Sequence, residues 1–157
     1  VDSDAHTRFG ASSRTYEYWI CTKKSPFQIN KAYYYPYDLD LDLMNEAERI
    51  LLSNTDFSCF SKSNTDTHTN DCDITAANWK REEDLLCFTI SANRFLRNMV
   101  RAIVGTLIEV GLGTISTDDF EEIINKRDRK LAGYSVPAHG LFLKEINYNW
   151  DEILVNG

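Results

Sequence analysis

The segment Asn93-Arg94-Phe95-Leu96-Arg97-Asn98-Met99-Val100-Arg101-Ala102-Ile103-Val104-Gly105-Thr106-Leu107-Ile108-Glu109-Val110-Gly111 constrains this chain more than any other. Its apolar residues fall on nearly every side of a helical wheel. Phe95, Met99, Ile103 and Val110 lie on one side, and Leu96, Val100, Val104, Leu107 and Ile108 fill most of the rest. The spacing predicts a helix over 93–111, and a helix apolar nearly all round is buried against other elements. Arg94, Arg97 and Arg101 fall along one line of that helix, at i, i+3 and i+7. Arg101 is the anomaly, because it stands inside the apolar run with Arg97 and Gly105 as its neighbours on the same face. A buried guanidinium does not deprotonate and needs a partner. That partner has to come from elsewhere in the fold, from another chain or from a ligand.

With 157 residues the chain is long enough to bury a core around such a helix and is expected to form a single domain. It has no stretch of about eighteen apolar residues free of charge, so no membrane span is expected. Val1-Asp2-Ser3-Asp4 has neither the basic start nor the apolar core of a signal peptide, and the absent initial Met suggests a processed chain or part of a longer one. The net charge of −7 argues against a nucleic-acid partner. However, bases gather at Arg94/Arg97/Arg101, at Lys126-Arg127 with Arg129-Lys130, and at Arg8/Arg14, so a basic face on an acidic protein stays open. Cys21, Cys59, Cys72 and Cys87 form no C-x-x-C, and His6, His68 and His139 share no close spacing with them. No metal site is expected, and the bland reading is four reduced thiols in a cytosolic, hence cytoplasmic, protein.

Along the chain, 14–23 reads as a strand, with Tyr16 and Tyr18 on one face and Trp19 and Cys21 on the other. Residues 25–37 read as a loop carrying Tyr33-Tyr34-Tyr35-Pro36-Tyr37, a cluster that could stack on bases or pack the loop onto the domain. Residues 39–52 are amphipathic, with Leu43, Ala47, Ile50 and Leu51 at helical spacing and Asp40 or Asp42 as the cap. Asn54 to Phe60 form a turn with two aromatics, and 61–71 a polar loop. Residues 72–80 and 85–92 read as strands joined by Arg81-Glu82-Glu83-Asp84. A short helix over 117–126 has Ser116 or Thr117 as its cap, and Phe120, Ile123 and Ile124 facing inward. A last strand covers 140–148. The order β-α-β-β-α-β predicts an α+β, ferredoxin-like fold: one antiparallel sheet with its helices on one face. That fold hosts many functions.

No G-x-S-x-G, P-loop or Rossmann fingerprint occurs. What carries chemistry is Arg101, an aromatic face (Tyr16, Tyr18) on the first strand, and Pro137-Ala138-His139-Gly140-Leu141 entering the last. An aromatic on an open sheet face can stack a base, or it can pack beneath a neighbouring domain.

Arg8-Phe9-Gly10-Ala11-Ser12-Ser13-Arg14-Thr15-Tyr16-Glu17-Tyr18 resembles the R-F-S-A-x-x-R-x-Y-x-Y stretch of the tRNA pseudouridine synthase A family. Asp56-Phe57-Ser58-Cys59-Phe60 is similar to its D-F-x-x-F turn. Asn93 to Gly111 is similar to its N-x-F-x-x-x-M-V-R-x-I-V-G-x-L-x-x-V-G helix, and Pro137 to Leu143 to its P-A-x-G-L-x-L strand entry. Arg129, Ala132 and Gly133 fit the segment between. The resemblance implies a cofactor-free enzyme that isomerises uridine to pseudouridine in the tRNA anticodon arm, commonly as a homodimer. Under it, Arg101 matches the arginine that pairs with a catalytic Asp, Tyr16 the tyrosine that stacks on the flipped base and takes part in proton removal, and Leu141 the aliphatic residue beside the base. Arg97 and Arg94 are then solvated or phosphate-facing. The family's G-R-T-D-x-G-V-H motif, which holds that Asp, is absent here. The chain is therefore expected to be the C-terminal half, inactive alone, with the catalytic Asp in a missing N-terminal half. The alternatives are a non-catalytic ferredoxin-like RNA-binding module and a small-molecule regulatory domain. An Arg101 without its Asp is expected to face the cleft, held by water, an anion or a substitute carboxylate.

Overall fold

The computed structural model describes residues 11–62 and 69–150. Arg8, Phe9, Gly10, His6, His68 and most of the polar loop lie outside the described residues. Five strands and three helices follow in order: β1 (Ala11–Cys21), β2 (Tyr33–Tyr34), α1 (Leu41–Leu52), β3 (Ile74–Glu82), β4 (Leu85–Ala92), α2 (Met99–Leu112), α3 (Thr117–Lys126) and β5 (Leu141–Tyr148). β1 is the central strand. One edge pairs antiparallel with β4, which pairs antiparallel with β3. The other edge is shared: β5 runs antiparallel along Ala11 to Tyr18, and β2 runs parallel to Ile20 and Cys21. Leaving β2 aside, the order is β5-β1-β4-β3, all antiparallel, as the ferredoxin-like reading requires.

Alternation sets which face the helices cover. Tyr18, Ile20, Leu86, Phe88, Ile90 and Ala92 point to one side and are buried, and the register pairs Tyr18 with Phe88 and Ile20 with Leu86. Trp79 stacks on Phe88 with ring centroids 4.9 Å apart. Met44, Ala47 and Leu51 of α1, Phe120, Ile123 and Ile124 of α3 and most of α2 complete the core. Asp40 caps α1, and Ser116 caps α3 in a reciprocal box with Asp119. Among the described residues no helix is long and apolar enough to cross a membrane.

Several expectations need correction. The buried face of α1 is Met44, Ala47, Glu48 and Leu51; Leu43 is exposed, because the helix is rotated toward β3. The β3–β4 hairpin turns on Glu83 and Asp84 alone, with Glu83 at φ 54°, so Arg81 and Glu82 belong to the strand. The aromatic loop contributes the short β2, and its Tyr33, Tyr35 and Tyr37 rings lean on one another. Helix α2 begins six residues later than periodicity suggests. Asn98, at φ 70°, interrupts the run, and 93–98 crosses from β4 to α2 without helical structure. Apolar spacing hides that break because Leu96 is buried in the crossing as well. Arg94, Arg97 and Arg101 therefore do not share a helix face.

Glu48 is a buried carboxyl on α1, whose other acids, Asp42 and Glu46, are exposed. Its Oε2 and the Trp79 indole Nε1 are both buried without a hydrogen-bond partner among the described residues. Burial pushes the Glu48 carboxyl up to about 7, opposed by the nearby Arg49 charge. The sign follows from proton linkage. Between pH 4.5 and 7 the unfolded chain loses this proton while the folded chain keeps it, so stability falls as pH rises through that window. Glu48→Gln is expected to flatten the fall, and to stabilise the protein at pH 8 by about 3 kcal/mol, the free energy of the shift. Thermal melts of both proteins at pH 5 and pH 8 check it; parallel pH profiles would count against a buried Glu48.

Candidate active site around Arg101

Tyr16, Tyr18 and Leu141 meet across two neighbouring strands. Tyr18 lies opposite Leu141, and Tyr16 opposite Leu143. The aromatic face is not open, as the sequence suggested. Tyr18 is fully buried under the helices, and Tyr16 is half-buried against Phe95, edge to face at 5.2 Å and 85°. Both residues point to the core side because the register with β4 pairs them with Phe88 and Ile90. The Tyr18 hydroxyl donates to the carbonyl of Pro137 at 2.6 Å. Burial holds that hydroxyl far above the usual phenol range; Tyr33 adds to the effect and the Arg101 charge opposes it. Tyr18 is thus a protonated donor that anchors the 135–137 segment.

Arg101 stands on the first turn of α2 and reaches that same segment. Its Nε donates to the Val136 carbonyl at 2.7 Å, and the Val136 N–H donates back to the Arg101 carbonyl. The side chain is half-buried rather than buried. Among the described residues no carboxylate is within ion-pair distance of it. What holds it is a backbone carbonyl, which engages Nε and leaves both terminal nitrogens of the fork unbonded within the described residues. Of the expected holders (water, an anion or a substitute carboxylate), no carboxylate among the described residues takes that place.

Close backbone approach makes this arrangement possible. A Cβ on Gly105 would sit 1.8 Å from the Tyr134 carbonyl oxygen, and one on Gly133 2.9 Å from the Gly105 backbone. Segment 133–136 therefore lies directly on α2. One Cβ on Gly140 would strike the Tyr18 ring at 2.8 Å, so glycine there lets β5 enter beside Tyr18 with Leu141 next in line.

Arg94 and Arg97 fare differently. The Arg94 fork folds back onto the Thr69 carbonyl and hydroxyl and the Asp71 carbonyl, at 3.3–3.4 Å. Arg97 is exposed, and its carbonyl accepts from the backbone N–H of the equally exposed Lys62. Among the described residues no group of three or more His, Cys, Asp or Glu could hold a metal ion. A polar depression of about 420 Å³ lined by Asp42, Asn45, Glu46, Glu48, Arg49 and Asn78 contains none of the predicted site residues.

Residues 49–149, which hold Arg101, Leu141 and the 133–137 segment, match the model of a family described as tRNA pseudouridine synthase. The chain belongs to the tRNA pseudouridine synthase family. It is 52% identical over 148 residues to tRNA pseudouridine synthase A of Parabacteroides distasonis, covering 94% of this chain and 59% of that protein. The enzyme of the same name from Bacteroides fragilis is 50% identical over 149 residues, again covering 94% and 59%, and that of Bacillus pumilus 38% over 151, covering 95% and 61%. The chain thus spans about three fifths of the length of these pseudouridine synthases.

Sequence reasoning singled out Arg101, Tyr16 and Leu141, but it passed over Asn98, Ser135, Val136 and the Tyr18 hydroxyl. The sequence signals nearest them were the helix block that contains Asn98 and the proline-led block at 137.

Proposed function

We propose that this chain is the C-terminal, RNA-binding and active-site-completing part of a tRNA pseudouridine synthase that isomerises uridine in the tRNA anticodon arm. The observation that carries this reading is the Arg101 fork, fixed through Nε with no acid beside it among the described residues. A planar guanidinium held at one nitrogen presents its other two as a bidentate cradle for a carboxylate, and keeps that carboxylate ionised. On this reading the carboxylate is the catalytic Asp, which lies in the part of the relatives that this chain does not span. The bond from the ribose to the uracil nitrogen breaks, the base turns, and a bond forms to ring carbon. The carbon proton leaves and the nitrogen gains one, so atoms balance without a cofactor. Tyr16 stacks on the flipped base and takes part in that proton removal, and Leu141 packs beside it. Exposed Arg97 and Lys62, neighbours through a backbone hydrogen bond, supply phosphate contacts despite the net charge of −7. Arg94 acts behind them by holding 69–71. The protein works in the cytoplasm as a homodimer on tRNA.

The test compares this chain with the full-length protein on unmodified tRNA, reading pseudouridine by carbodiimide-dependent primer extension. Product from the full-length protein and none from the chain alone is expected. Product from the chain alone would show that no missing Asp is needed. Tight tRNA binding by the full-length protein without product would favour a non-catalytic RNA-binding module.

A further inference from the structure

We propose that Asn98, Ser135 and Arg129 are positioning residues for Arg101: a polar lock outside the reacting groups that sets the direction of its fork. Asn98 occupies the position before α2, where an Asn side chain ordinarily accepts from the first-turn N–H groups. Here it makes no such cap. Its Nδ2 instead donates to Ser135 Oγ. Ser135 Oγ also accepts from Arg129 Nη2 at 3.1 Å, while Arg129 Nη1 donates to the Gly133 carbonyl at 2.9 Å. One hydroxyl oxygen therefore gathers two donors, one from the residue before α2 and one from Arg129. The helix start and the segment are tied together at the point where Arg101 needs them.

The consequence falls on Val136. Its carbonyl is the only hydrogen-bond acceptor holding the Arg101 side chain among the described residues. That carbonyl sits between two pinned neighbours, Ser135 through its hydroxyl and Pro137 through the bond from Tyr18. Releasing the Ser135 hydroxyl leaves that side of Val136 held only by its N–H bond to the Arg101 carbonyl, and the guanidinium plane turns with it. Thr106 also seats the segment, because its hydroxyl accepts from the Gly133 N–H at 2.9 Å, but that bond lies a turn further along α2 and does not fix Val136. Asn98 thus gives up a cap bond for a contact that aims Arg101 without touching it.

The link from aim to turnover rests on the proposed function; the aim itself does not. The experiment uses full-length protein carrying Asn98→Gly, which keeps the left-handed backbone at φ 70° and removes only the side chain, with Asn98→Asp as the conservative partner. Two readouts are taken: steady-state pseudouridine formation on tRNA, and solvent exchange of the Arg101 Nε–H by nitrogen-15 NMR, assigned with Arg101→Lys. For Asn98→Gly, kcat is expected to fall about tenfold with KM within about twofold, as for an interaction made only in the transition state. The Nε–H is expected to exchange at least about tenfold faster. Asn98→Asp, able to accept from Ser135 and attract Arg129, should recover most of both. Unchanged Nε–H exchange in Asn98→Gly overturns the lock. Faster exchange with wild-type kcat overturns its role in turnover. A wild-type protein that makes no pseudouridine removes the proposed function, while the exchange measurement still decides whether Asn98 aims Arg101.

Discussion

Arg101→Lys in the full-length protein is expected to lower kcat for pseudouridine formation about 100- to 1000-fold, the range seen when one preorganised charge-stabilising donor is removed. Charge is conserved in this change, so the loss isolates geometry. Arginine here bonds the Val136 carbonyl through Nε and keeps two further nitrogens in one plane. Lysine has a single ammonium on a flexible stem and cannot satisfy the carbonyl and cradle a carboxylate in a fixed orientation at once. The folded protein should tolerate the change. The buried Val136 carbonyl loses its side-chain partner, at about 1–3 kcal/mol. Single-turnover kinetics on saturating tRNA with a thermal melt alongside checks both parts. A lysine variant that turns over within a few-fold of wild type would remove Arg101 from the chemistry.

Gly105→Ala is expected to be the most damaging small substitution in the chain. An added Cβ would meet the Tyr134 carbonyl oxygen at 1.8 Å, and that atom is backbone that cannot rotate away. Helix propensity favours alanine by about 1 kcal/mol at an interior position. Pushing a packed segment off a helix costs about 3 kcal/mol or more and wins. The net loss of about 2 kcal/mol or more should lower the melting temperature of a chain of this size by roughly 4–8 °C or more. Activity should fall further than stability alone explains, because Val136 moves with Tyr134 and takes the Arg101 anchor with it. Differential scanning calorimetry checks the first claim. An alanine variant that melts with the wild type would mean that segment 133–136 does not rest on α2.

The four long strands, the caps and the inward faces of α3 were legible because local chemistry decides them; the short β2 inside the aromatic loop was not. Ser116 with Asp119 three residues on is a capping-box signature of a helix start, and the alternation of 85–92 leaves little choice of face. Family blocks singled out Arg101, Tyr16 and Leu141 together. Four further things were not legible. Asn98 ends a crossing that is apolar like the helix after it, so spacing could not mark the boundary. Glu48 looks like any exposed acid until α1 is rotated onto β3. Tyr18 alternates correctly, but which side of β1 the helices cover is set by α1, α2 and α3 together. Arg94 resembles its neighbours in sequence, yet bonds to Thr69 and Asp71, which reach it through folding alone.

Periodicity and turn chemistry are thus enough to order the strands and helices and to flag one arginine inside an apolar run, since both depend on neighbours a few residues away. What holds that arginine depends on Gly105 and Gly133 letting two backbones touch, on Tyr18 reaching Pro137 across 119 residues, and on Ser135 closing over Asn98. Contacts between residues so far apart in the chain leave no local pattern, so only packing in three dimensions decides where the fork of Arg101 points.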